Sequence, residues 1–166
     1  GARILENALF ISQHEPGHLG RDLFEIAADL CACADGLTAS LCKDFACDIG
    51  GVIAVRSERL GQELRASLIA TGSGLNVSAR KRIAWALTLK DRAEKLVRAR
   101  VELTQSLARR LHELDVPVFH PSGGHAVLLD ARALLGPAYA QPQASVLAWM
   151  FGHAGVRAGI HSVGMQ

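Results

Sequence analysis

Lys43 closes a run of small, strand-like residues, Leu37-Thr38-Ala39-Ser40-Leu41-Cys42. A lysine held in a partly desolvated site gives up part of its proton affinity, and its free amine is then a nucleophile toward carbonyl carbon. Such an amine can form a Schiff base with pyridoxal phosphate, and a nearby hydroxyl, here Ser40, suits the phosphate. The same two residues also read as Ser40-x-x-Lys43, the element in which serine is the nucleophile of penicillin-binding enzymes. The accompanying S-D-N and K-T-G elements are missing, so that reading has little support. An ordinary surface lysine is the plain alternative.

Arg157 stands alone in the apolar, glycine-containing segment Ala154-Gly155-Val156-Arg157-Ala158-Gly159. An arginine there must pair or face a cavity, and its planar fork fits a carboxylate held by two parallel bonds. A structural ion pair is the competing account. His14-Glu15-Pro16-Gly17-His18 satisfies the H-E-x-x-H pattern of zinc peptidases, which needs both histidines on one face of a continuous helix. Pro16-Gly17 would break that helix, so two loop histidines are expected and no metal site. Cys31, Cys33, Cys42 and Cys47 form no C-x-x-C pair and fall in apolar or helical stretches. They read as free, mostly buried thiols of a cytoplasmic protein.

The elements that must carry these residues follow from periodicity. Helical spacing covers residues 3–13 and 21–34, with Leu23, Ile26, Ala27 and Leu30 on one face. Asp35-Gly36 supplies a turn before the stretch 37–42, and a second strand is expected at Val52-Ile53-Ala54-Val55 after the flexible pair Gly50-Gly51. Ser57 is placed to cap a helix from about Glu58 to Ile69. One long helix is expected from Ser78 to Leu114, which has no internal Gly or Pro. Two strands, Val116–Phe119 and His125–Asp130, a helix over about 142–153 and a strand-like Gly155-Val156-Arg157 complete the chain.

Composition narrows the function classes. A chain of 166 residues, half apolar and one-fifth charged, can bury a core and is neither disordered nor repetitive. No apolar run nears the roughly 18 residues a bilayer span requires, so no membrane role is expected. The net charge of +2 does not argue for nucleic acid. Ten of the 18 basic residues fall in the long helical stretch, but Trp85 is its only aromatic, and a solvated face explains it. The chain opens Gly1-Ala2-Arg3 without Met, as if partway through a fold.

Lys43 and Arg157 share one further context. Arg3-Ile4-Leu5-Glu6-Asn7-Ala8-Leu9-Phe10-Ile11, Glu15-Pro16-Gly17, Ala34-Asp35-Gly36-Leu37-Thr38-Ala39-Ser40-Leu41-Cys42-Lys43-Asp44 and Ile49-Gly50-Gly51 occur in one order and at one set of spacings over the first fifty residues. This order resembles the later half of the tryptophanase and tyrosine phenol-lyase family, the β-eliminating lyases. Gly123-Gly124-His125-Ala126-Val127, Leu129-Asp130-Ala131-Arg132 and Gly155-Val156-Arg157 are shorter matches. The resemblance implies an α/β fold of the aspartate-aminotransferase type (fold type I). Residues 1–90 would be the later part of the large cofactor domain, and 91–166 the small C-terminal domain, entered within the long helix.

The resemblance also implies roles. Lys43 matches the lysine that carries pyridoxal 5'-phosphate, Ser40 a serine on its phosphate, Arg3 an arginine near the ring oxygen, and Arg157 the arginine on the substrate carboxylate. Cys42-Lys43 stands where the family has two lysines. Asp48 replaces an asparagine whose carbonyl helps hold a monovalent cation, a backbone contact that the replacement leaves open. The family's ring-pairing aspartate would stand just before Gly1. The expected protein is therefore a lyase acting on an amino acid, completed by an N-terminal half or companion subunit in a homo- or hetero-oligomer. A non-catalytic scaffold of the same fold, and an aldolase or transaminase, stay open as alternatives.

Overall fold

The structure, a computed structural model, describes residues 3–160. Gly1 and Ala2, and residues 161–166 at the end of the expected small domain, lie outside the described residues. The chain forms two compact units, Gly1–Val101 and Glu102–Gln166.

The first unit is built on helices α1 (Ile4–His14) and α2 (Leu23–Ala32). Asp22 caps α2, its carboxylate accepting from the N–H groups of Phe24 and Glu25, which answers two of the donors left open at a helix start. Leu5, Ala8 and Leu9 of α1 meet Leu23, Ile26 and Ala27 of α2, and Ala93, Val97 and Val101 join the same core. The apolar spacing of both helices is thus spent on this one contact. Glu15 is extended, ending α1 at His14, so His14 and His18 do not share a helix. The described residues hold no group of three or more metal-ligating side chains.

Strands β1 (Gly36–Ser40) and β2 (Gly51–Val55) pair antiparallel, with Ser40 opposite Gly51. Between them lies a single helical turn, α3 (Leu41–Asp44). Gly50 has φ +109°, a backbone conformation that residues with a Cβ rarely adopt, so the backbone here favours glycine. Arg56, just past β2, donates to the carbonyls of Ala32 and Ala34 and fastens the hairpin to the open C-terminal end of α2. Helix α4 (Glu58–Ala70) starts at Ser57, whose hydroxyl accepts from the Leu60 N–H.

The single helix expected over 78–114 is two helices, α5 (Val77–Thr88) and α6 (Lys90–Glu113). The break is at Leu89, whose ψ of 57° leaves the helical region, while the Thr88 hydroxyl donates to the Trp85 carbonyl. Threonine's competition for backbone carbonyls is a recognised source of such breaks. Trp85 is exposed on α5.

In the second unit the two expected strands reduce to one bridge, Val118 opposite Leu129. Pro117 has no N–H to extend the ladder, and the Asp130 carboxylate instead accepts from Arg132 and Ala133 to cap α7 (Ala131–Leu135). Helix α8 (Pro142–Ala154) begins with proline in its first turn. The strand expected at 155–157 does not form. Gly155 is left-handed, and the Gly155 and Val156 N–H groups donate to Phe151 and Met150 carbonyls, which makes the pair a helix stop.

No helix among the described residues is long and apolar enough to cross a membrane. The thiols are free, but the expected burial is not found. Cys33 and Cys42 are exposed and Cys31 and Cys47 half-buried, because Cys31 and Cys33 lie off the core face of α2 and Cys42 faces outward from α3. Burial, with Cys42 and Asp48 adding to it, pushes the Cys47 thiol above its usual range. A higher pKa means less thiolate at a given pH, hence slower alkylation. Limiting iodoacetamide at pH 8 should therefore label Cys33 and Cys42 before Cys47 in peptide mass maps. Equal rates at Cys33 and Cys47 would contradict the structure.

Candidate active site

Lys43 lies on the α3 turn, directly after β1. Leu41 and Asp44 point inward at 2% and 1% exposure, and Cys42 and Lys43 face outward between them. Two hydrogen bonds hold the turn from below: the Leu41 N–H donates to the Gly50 carbonyl, and the Cys47 N–H to the Leu41 carbonyl. The motif Ile49-Gly50-Gly51 has its physical reason here, since Gly50 feeds the turn and a Cβ on Gly51 would press 2.9 Å from the Ala39 oxygen. Phe45, next along, packs against the core and near Phe24.

The desolvation expected at Lys43 is absent: its side chain is exposed, because α3 turns its inner face to α1 and its outer face away. Ser40 is half-buried at the end of β1, and its hydroxyl is not used to cap α3. Arg3 precedes α1 and reaches Glu6 at 3.9 Å.

A buried polar cluster joins these pieces. One Asp44 oxygen accepts from the Leu5 N–H at 2.8 Å, at the opening of α1. The other accepts from Nη2 of Arg100 at 2.8 Å, and the same nitrogen donates to Glu6 at 2.9 Å. Nη1 of Arg100 donates to the Lys43 carbonyl at 3.3 Å. The Arg3 side chain and the Lys43 carbonyl are thereby linked through Glu6 and Arg100, and Ser40 stands at the end of β1, just before the turn that carries Lys43. Sequence reasoning missed Arg100, counting it among the basic residues of a solvated face. A signal was present, since Arg100 falls on the stripe Ala93, Val97 and Val101, all buried.

Asp48 lies at the edge of a hollow of about 230 Å³ that Cys47, Trp85 and Arg92 help to line, and its carboxylate pairs with Arg82 at 3.1 Å. Arg157 belongs to the second unit, where it faces a shallow hollow of about 370 Å³ with Leu147, Phe151, Val156 and Ala158. It is exposed there.

The first unit offers an exposed primary amine at Lys43, a half-buried hydroxyl at Ser40 and the Arg3 guanidinium, groups of the kind that a phosphorylated aldehyde takes. The family model described as beta-eliminating lyase matches residues 1–164. The chain belongs to the β-eliminating lyase family.

Among the relatives of this chain, the tryptophanases of Hyphomonas neptunium and Rhodobacter capsulatus are each 38% identical to it over 95% of this chain and 36% of their own length. The tyrosine phenol-lyase of Intrasporangium calvum is 34% identical over 80% of this chain and 29% of its own. The chain thus spans about a third of the length of the curated relatives it matches. Pyridoxal phosphate is the cofactor that membership in the family implies. The mixture of helix and strand agrees with that membership.

Proposed function

We propose that these residues form part of a pyridoxal-phosphate lyase acting on an amino acid, with Lys43 as the attachment point and Arg157 as the carboxylate anchor. The observation that carries this reading is the Arg100 guanidinium, which ties the Lys43 backbone to Glu6, the partner of Arg3. When bound, the cofactor supplies an aldehyde that joins an amine and a ring that withdraws electrons from the substrate's α-carbon. The Lys43 Nζ holds the cofactor and then, released from it, takes the proton from that carbon. Ser40 would hold the phosphate through its hydroxyl, and Arg3 would offer its charge to the ring oxygen. Arg157 grips the substrate carboxylate with its fork and so aims the Cα–H bond.

Since the relatives are about three times as long, we assign the remaining cofactor contacts to an N-terminal half, whether a separate subunit or the rest of a longer chain. The Asp48 carbonyl is the group we assign to a monovalent cation. Borohydride reduction of the complete enzyme with pyridoxal phosphate, followed by peptide mapping, tests the reading. The label should fall on Lys43, and a label on another lysine, or none, would sink it.

Arg157→Met should lower kcat/KM for the amino acid on the order of 10²-fold, because hydrogen bonds to charged groups contribute about 1.5–3 kcal/mol each. Steady-state kinetics checks this. An unchanged kcat/KM would remove Arg157 from the site.

A further inference from the structure

The Lys43 carbonyl lies in the last turn of the single-turn helix α3, where carbonyls have no helical N–H to accept from. The donor that meets it comes from Arg100, 57 residues away on α6, at 3.3 Å. The other arm of the same guanidinium grips Asp44, the next residue, and Glu6 of α1. Three ties on one planar fork, one to the Lys43 backbone and two to the carboxylates of Asp44 and Glu6, join the Lys43 turn to the start of α1. A buried ion pair alone does not argue for such a role, since apolar residues of similar volume often stabilise a fold as well. An apolar trio could not, however, present a directional donor to the Lys43 carbonyl. Lysine could not reproduce the arrangement either, because an ammonium is a point charge without the fork.

We propose that Arg100 is a positioning residue for Lys43. It sets the pitch of the α3 turn, and with it the direction in which the Lys43 amine is presented to the cofactor. This rests on the reading that Lys43 carries pyridoxal phosphate. Asp44 and Glu6, both buried, aim the guanidinium through its Nη2 arm. Arg100 touches no cofactor atom and acts through the backbone of its neighbour.

The complete enzyme is tested as wild type, Arg100→Lys and Arg100→Met, with two readouts. One is amide hydrogen exchange of residues 42–46 without cofactor. The other is the rate at which added pyridoxal phosphate becomes borohydride-reducible on Lys43. Arg100→Lys keeps a cation beside Asp44 and Glu6, so its melting temperature should stay near wild type. Its amides at 42–46 should nonetheless exchange faster, and attachment to Lys43 should slow about tenfold. Arg100→Met should slow attachment at least as much. Wild-type exchange and attachment rate in Arg100→Lys would overturn the proposal. If wild-type protein itself carries no label on Lys43, the cofactor reading falls and takes this inference with it. That outcome is recognised by its appearance in all three proteins.

Discussion

Lys43→Ala in the complete enzyme is expected to lower turnover by about 10⁴-fold or more while leaving the melting temperature unchanged. Two duties are lost at once, the amine that holds the cofactor and the base that moves the α-proton. Stability is spared because the side chain is exposed and its neighbours are held by Leu41 and Asp44 instead. Substitutions at such surface positions ordinarily change stability by less than about 0.5 kcal/mol. Lys43→Arg should be nearly as inactive, because a guanidinium stays protonated and offers no nucleophile. Steady-state elimination assays beside thermal melts separate the two effects. Turnover within tenfold of wild type in Lys43→Ala would show that the chemistry lies elsewhere.

Asp44→Ala should produce the largest loss of stability, about 3–5 kcal/mol, the usual cost of removing one partner from a buried pair. Asp44 is 1% exposed and accepts from both Leu5 and Arg100, so its removal leaves an N–H and an arginine short of an acceptor. Asp44→Asn should lose less, on the order of 1–3 kcal/mol, since an amide oxygen can still serve one donor. Glu63→Ala, which breaks the exposed pair with Arg59, should lie within about 1 kcal/mol of wild type. Urea unfolding of the three variants checks the ranking. Asp44→Ala no less stable than Glu63→Ala would mean that the cluster contributes nothing to the fold.

Local signals carried much of this structure. The apolar spacing of α1 and α2, Ser57 ahead of α4 and the glycine pair before β2 each name their element from neighbours in sequence, and each element forms where expected. Other features were not legible from apolar spacing. The break at Leu89 lies inside a stretch of good helix formers and is marked only by Thr88. The region after Val116 has strand-forming residues, yet Pro117 and the capping role of Asp130 limit it to one bridge. Gly155, read as part of a strand, is the helix-stopping glycine that its place after α8 should have suggested. At the candidate site, Lys43 stands out by its motif and Arg100 by its place on the buried stripe of α6, but what Arg100 pairs with is not legible. Its partners Lys43, Asp44 and Glu6 lie 57, 56 and 94 residues away, and no periodicity records such pairings.

The two arginines and two carboxylates around Lys43 differ from the molecule's other ion pairs in how they meet dissolved ions. At physiological ionic strength charges are screened over about 8 Å of solvent, but little solvent lies between groups as buried as Asp44 and Glu6. Arg59 with Glu63, and Arg110 with Glu113, stand in the bath and weaken as salt rises. Ionic strength therefore sorts the charges into two populations. It loosens the periphery and leaves the seat of Lys43 in place.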